Sequence, residues 1–149
     1  MPNTYIEHLK NGLTVIIEEV PSVASAAYEL YIPGALLYDD PKNIGGSLIL
    51  AEILSRGAGP YNSVELSDAF ERLGVLNGIG GAGERFYLRG VLLGKNLPEA
   101  LKLLSYIVKE PRIPEEEVQA IKNLLLQDIA SLKDNPSRRA NITLTEEYL

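Results

Sequence analysis

The sequence predicts a single α+β domain, an antiparallel-rich sheet packed against helices, and three observations carry that reading. Two β-rich runs, residues 5–9 and 13–20, meet through Lys10, Asn11 and Gly12, and Asn followed by Gly is a strong hairpin signal. Two more strand-like runs, 75–79 and 85–93, flank a glycine-rich segment holding Gly78, Gly80, Gly81 and Gly83. The remaining stretches show apolar residues at helical spacing, bounded by capping residues.

In chain order, Pro21 and Ser22 close the hairpin, and residues 25–32 form a third strand that ends at Pro33 and Gly34. A loop with Asp39, Asp40 and Pro41 feeds the helix predicted over 43–57, around which the chain is organised. Ile44, Leu48, Ile49, Leu50, Ala51, Ile53 and Leu54 scatter around its whole wheel, the pattern of a helix covered on most sides. Asn43 is placed to cap its start and Gly57 its end. Glu52 then needs a partner, because burying an unpaired charge costs on the order of several kcal/mol.

A second helix is marked by Asn62 and Glu65, at capping-box spacing, and ends at Gly74; Asp68 and Arg72 are spaced to pair along it. A third opens at Asn96, with Pro98 in its first turn, and runs to about Val108. Pro114 starts a fourth, from Glu115 to about Lys133, whose acidic first turn, Glu115 to Glu117, suits the helix dipole and reads as solvated. Its Val118, Ile121, Leu124, Leu125, Ile129 and Leu132 make one apolar stripe, and Asp128 falls inside it. Asn135 and Pro136 end that helix, and residues 137–149 read as a fifth that stops without a cap, so truncation at the C-terminus is expected.

Composition narrows the function. At 149 residues the chain supports one core, burying roughly two-thirds or more of its unfolded surface. A net charge of −6 and a pI near 4.8, with no basic face, argue against nucleic acid or an anionic membrane as main partner. Zero cysteines remove disulfides, thiolate metal sites and cysteine nucleophiles. No apolar run approaches the roughly 18 residues of a membrane span, and the first ten residues lack a signal-peptide core, so a soluble, cytoplasmic location is expected.

The order of these features resembles the insulinase and pitrilysin family of zinc metallopeptidases, which includes mitochondrial processing peptidase. The resemblance runs nearly end to end. It rests on Leu9 to Val15 in the opening hairpin, Gly34, the helix entry from Asn43 to Gly46, and Leu54, Ser55, Arg56 and Gly57. It continues through Leu73 and Gly74, Leu97 to Ala100, Pro114 to Val118, and Asp134, Asn135, Pro136 and Arg139. It implies a fold similar to one half-domain of such a peptidase.

Active members of that family carry His-x-x-Glu-His on the central helix, with a more distant glutamate as third zinc ligand. Registered on Leu54 to Gly57, the histidine positions here are Leu48 and Glu52, the general-base position is Ala51, and the distal position falls on Asp128, 76 residues after Glu52. Leu48 offers metal no donor and Ala51 takes no proton, whereas a catalytic zinc needs three protein ligands and an open position. Two carboxylates alone are a poor oxygen set for Mg²⁺ or Ca²⁺. The plainer expectation is that Glu52 pairs with Arg56, or that one of the two acids is protonated beside the other. The resemblance therefore implies no catalytic residue and no zinc in this chain, with zinc held by an active partner.

In such peptidases the strand corresponding to 77–81 takes substrate as an added strand, which makes Asn77, Gly78, Ile79, Gly80 and Gly81 the candidate peptide-binding residues, against a plain flexible hairpin. A phosphate cradle is disfavoured there, since the segment lacks a P-loop ending and precedes a strand. His8, the single histidine, reads as structural. The implied function is a catalytically silent, peptide-binding subunit or half of a proteolytic complex. Its partners would be a catalytic homologue and an unfolded peptide. The alternative is a structural or assembly subunit with no role in proteolysis.

Overall fold

Asn11 and Gly12 do make the first turn. Gly12 takes φ 87°, where a side chain would be strained, and Asn11 Oδ1 accepts from the Leu13 N–H at 3.2 Å. The strands it joins, β1 (Asn3–His8) and β2 (Thr14–Glu19), pair antiparallel with His8 opposite Thr14. The structure, a computed structural model, describes residues 3–42, 44–82 and 84–148, side chains at 36, 37, 82 and 146 excepted. Asn43 and Gly83 therefore lie outside the described residues.

The main sheet is antiparallel, in the order β3 (Ser25–Pro33), β7 (Arg85–Leu93), β6 (Leu76–Ala82). The glycine-rich segment through Ala82 is part of β6 rather than a loop, because each residue from Leu76 to Ala82 has a partner on β7. Strict alternation on β7 turns Phe86, Leu88, Gly90 and Leu92 inward and Arg85, Tyr87, Arg89, Val91 and Leu93 outward. A small hairpin that the sequence pattern did not announce, β4 (Gly57–Ala58) with β5 (Tyr61–Asn62), turns through Gly59 and Pro60.

Five helices follow the predicted order. The capping box forms as read at the start of α2 (Ser63–Arg72): Asn62 Oδ1 accepts from the Glu65 N–H at 3.0 Å, and Glu65 accepts from the Asn62 N–H at 2.9 Å. Asp68 and Arg72 lie 3.9 Å apart. In α3 (Leu97–Lys109) Pro98 occupies the first turn, but Asn96 does not cap it; its amide donates instead to the Leu73 carbonyl at 2.9 Å, tying the end of α2 to the start of α3. The core is built where α2 and α3 meet the inner sheet face: Leu66, Phe70, Leu88, Leu92, Leu103 and Ile107 are all buried in one cluster.

Helix α1 (Gly46–Ile53) is shorter than predicted and is not covered on most sides. It buries Ser47, Ala51 and Ile53, while Leu48 is 40% exposed and Glu52 is exposed. Eight residues are two turns, too few for neighbours to surround, and the helix lies between β6 and α4 (Glu115–Ser131) with its remaining face open. Gly57 does not cap it: Leu54 does, and Gly57 begins β4 at φ 132°.

Helix α4 corrects a second expectation. Only Ile121 of its apolar stripe is buried, whereas Leu124 and Ile129 are exposed. Val118, Leu125 and Leu132 are half-buried, so apolar spacing on this helix marks a face that is only partly covered. After a short 3₁₀ turn, α5 (Pro136–Tyr148) follows, tied to α4 by the Arg138–Asp128 pair.

Candidate functional site

The start of α1 is built by Asp39, which the sequence pattern marks only as a loop residue. Gly45, at φ 104°, has no side chain to cap the helix, and Asp39 supplies the missing acceptor from the preceding loop. Its carboxylate accepts from the Gly45 N–H at 2.7 Å, the Ser47 N–H at 2.9 Å and the Ser47 hydroxyl at 3.1 Å. The Gly45 hydrogen bond above all, with those from Ser47, holds the Asp39 carboxyl below its ordinary value. Three side chains of α1 then stand at the positions where the implied chemistry belongs: Leu48, half in solvent; Ala51, buried; and Glu52, exposed.

Helices α1 and α4 pack against each other. The side chains do not behave as expected, however. Glu52 carries no buried charge, and among the described residues its carboxylate has no side-chain partner; it does not pair with Arg56. Arg56 faces Glu117 at 3.8 Å, an ion pair too long for a hydrogen bond, which leaves its Nε buried without an acceptor. Glu117 is therefore half-buried and paired, not part of a merely solvated turn.

Asp128, although within the apolar stripe, is exposed and gripped by the α5 residue Arg138, two parallel hydrogen bonds of 2.8 Å each. This guanidinium holds the Asp128 carboxyl below its ordinary value, the opposite of the protonated acid that a neighbouring carboxylate would produce. Both oxygens are thus engaged by Arg138. A leucine, an alanine, an unpartnered glutamate and an arginine-bound aspartate do not fit a zinc ion. Among the described residues no three His, Cys, Asp or Glu side chains gather closely enough to hold a metal. His8 spends its Nδ1 on the Thr14 hydroxyl at 3.0 Å across the β1–β2 pair.

The candidate peptide-binding residues, Asn77, Gly78, Ile79, Gly80 and Gly81, all lie on β6, which forms one edge of the sheet. Among the described residues no backbone hydrogen bond joins β6 to anything beyond β7 along that edge. Its glycines answer to the next strand. A Cβ on Gly80 would fall 2.5 Å from Tyr87 Cζ, one on Gly78 would fall 3.3 Å from Arg89 Nε, and one on Gly81 would meet the Phe86 ring at 3.1 Å. Side chains of β7 lie across bare positions of β6, a neighbour effect that composition alone does not reveal.

Comparison with known proteins places this geometry. The crystal structure of a peptidase M16 inactive domain from Pseudomonas fluorescens superposes with a TM-score of 0.85 at 23% identity, covering 95% of this chain and 35% of that one, which establishes a shared α+β peptidase-like fold. The model of the insulinase family, peptidase family M16, matches residues 14–148, and the chain belongs to that family. An uncharacterized zinc protease of Rickettsia felis is 30% identical over 90% of this chain, and the mitochondrial-processing peptidase subunit beta of Bos taurus 23% identical over 91%. The chain spans about a third of the length of these curated relatives, 32% and 27% respectively. Among the described residues no helix is long and apolar enough to cross a membrane.

Proposed function

We propose that this domain is the catalytically silent, peptide-binding half or subunit of a proteolytic assembly, working beside a homologous copy that carries His-x-x-Glu-His and the zinc. The observation that carries the reading is the free edge of β6 next to a helix whose chemistry-bearing positions are Leu48, Ala51 and Glu52. An unpaired strand edge is an aggregation liability unless something pairs with it, and an extended peptide is the natural complement. The family supplies precedents in name for both halves of the idea, an inactive domain and a subunit of a processing peptidase.

The test is to mix the chain with a homologous copy bearing the intact motif and to follow cleavage of an unfolded peptide. Activity of the mixture well above that of either component supports the reading. Full activity of the motif-bearing copy alone, unchanged on mixing, overturns it. Elemental analysis of the dialysed protein is a second check: about one zinc per chain, lost in Asp128→Ala, would show that the site is not silent.

A structural or assembly role without proteolysis is favoured by a different observation, the exposed apolar surface of β1, β2 and α4, where Ile6, Ile16, Leu124 and Ile129 are open to solvent. Binding to a homologue with no peptide uptake would select that alternative.

A further inference from the structure

The outward row of β7 shows which peptide the edge would favour. Register sets Arg89 opposite Gly78 and Tyr87 opposite Gly80. Neither glycine has a side chain to hold its β7 partner back, so the Arg89 stem lies over Gly78 and the Tyr87 ring lies over Gly80. The guanidinium and the hydroxyl thereby reach toward the free edge, past a strand that in most sheets would screen them. Adjacent strands lie about 4.8 Å apart, so a strand added to β6 would sit next to these two head groups rather than one row beyond them.

The charge at that place is unspent. Arg89 lies over the Tyr87 ring, its Cζ 5.2 Å from the centroid, a contact that uses none of its N–H donors. Among the described residues neither Arg89 nor Arg85 has an ion-pair partner. Glu29, opposite Arg89 on β3, is an acid on the same outward face, but no ion pair joins the two among the described residues. Arg85 lies over the Tyr31 ring at 5.2 Å, at the same end of this row. The result is a local cationic, aromatic strip on a chain whose net charge is −6.

We propose that the β6 edge selects an extended peptide with an acidic side chain on its outward face, the carboxylate taking the Arg89 guanidinium on one side and the Tyr87 hydroxyl on the other. This deepens the peptide-binding reading above and rests on it. A planar fork and a hydroxyl offer a carboxylate hydrogen bonds that an amide satisfies only in part and an ammonium not at all. The glycines then have one consistent role: they open the row through which Arg89 and Tyr87 reach the incoming strand.

The probes are fluorescein-labelled, blocked peptides of alternating threonine and valine with a central glutamate, glutamine or lysine, titrated by anisotropy against the full chain. The glutamate peptide is expected to bind about tenfold more tightly than the glutamine peptide, with the lysine peptide weakest, and the margin should shrink as salt rises. In Arg89→Gln the glutamate peptide should fall to the affinity of the glutamine one, while the remote Arg72→Gln keeps the preference. Equal binding of all three peptides by the unaltered chain overturns acidic selection and leaves the edge reading standing. Binding of none of them overturns both.

Discussion

Asp39 and Glu52 are both acidic residues near one short helix, and their roles are the reverse of what local sequence suggests. Asp39 looks like a loop residue, yet it closes the start of α1 from six and eight residues away. Its folded-state pKa is depressed from 3.8, so its contribution to stability is complete above that value and is lost as pH falls through it. Asp39→Ala should therefore lower Tm by a few degrees at neutral pH, a difference that narrows in melts carried below about pH 4. Asp128, held low by Arg138, should behave with the same sign: Arg138→Ala destabilises at neutral pH and less so in acid. Glu52, by contrast, is exposed and without a side-chain partner, so Glu52→Ala should change stability by no more than about 0.5 kcal/mol in urea titrations. A loss of several kcal/mol there would mean that its charge is buried after all.

Elements were legible in proportion to how local their determinants are. The α2 capping box spans four residues, and β7 shows its period-2 alternation in nine, so both were read from sequence with the bounds or partners observed. The extent of α1 was not, because its cap is supplied by Asp39 and its exposure depends on what else packs there. Helix α4 shows the limit most plainly. Period alone identifies an apolar stripe but not what covers it, and here the stripe splits into a buried Ile121 and an exposed Leu124 and Ile129. Ile121→Ala should cost about 2–4 kcal/mol by denaturant unfolding, and Ile129→Ala about 0.5 or less in the isolated chain. The candidate site follows the same rule: the residue types at 48, 51, 52 and 128 were readable, whereas the Asp128–Arg138 grip and the reach of Tyr87 and Arg89 across glycines arise only when strands and helices meet.

Across the whole molecule, order is unevenly distributed. The three-stranded sheet has helices on its inner face, while β1 and β2 pair with each other and have little else to lean on. Ile6 lies opposite Ile16 and Tyr5 opposite Ile17, so both faces of this hairpin carry apolar pairs, and all four side chains are at least half exposed. A two-stranded hairpin is marginal in water without a hydrophobic surface to pack on, and regions with few buried contacts open at a small fraction of the global free energy. Hydrogen exchange on the isolated chain should therefore find the β1 and β2 amides exchanging about a hundredfold or more faster than those of β7 around Leu88 and Leu92. Protection of β1 and β2 equal to that of β7 in a monomer would contradict this division. The same experiment in the presence of a motif-bearing homologue separates two kinds of assembly. A partner that covers the apolar hairpin will slow exchange in β1 and β2, one that feeds peptide to the sheet edge will slow it in β6, and the proposed function requires the second.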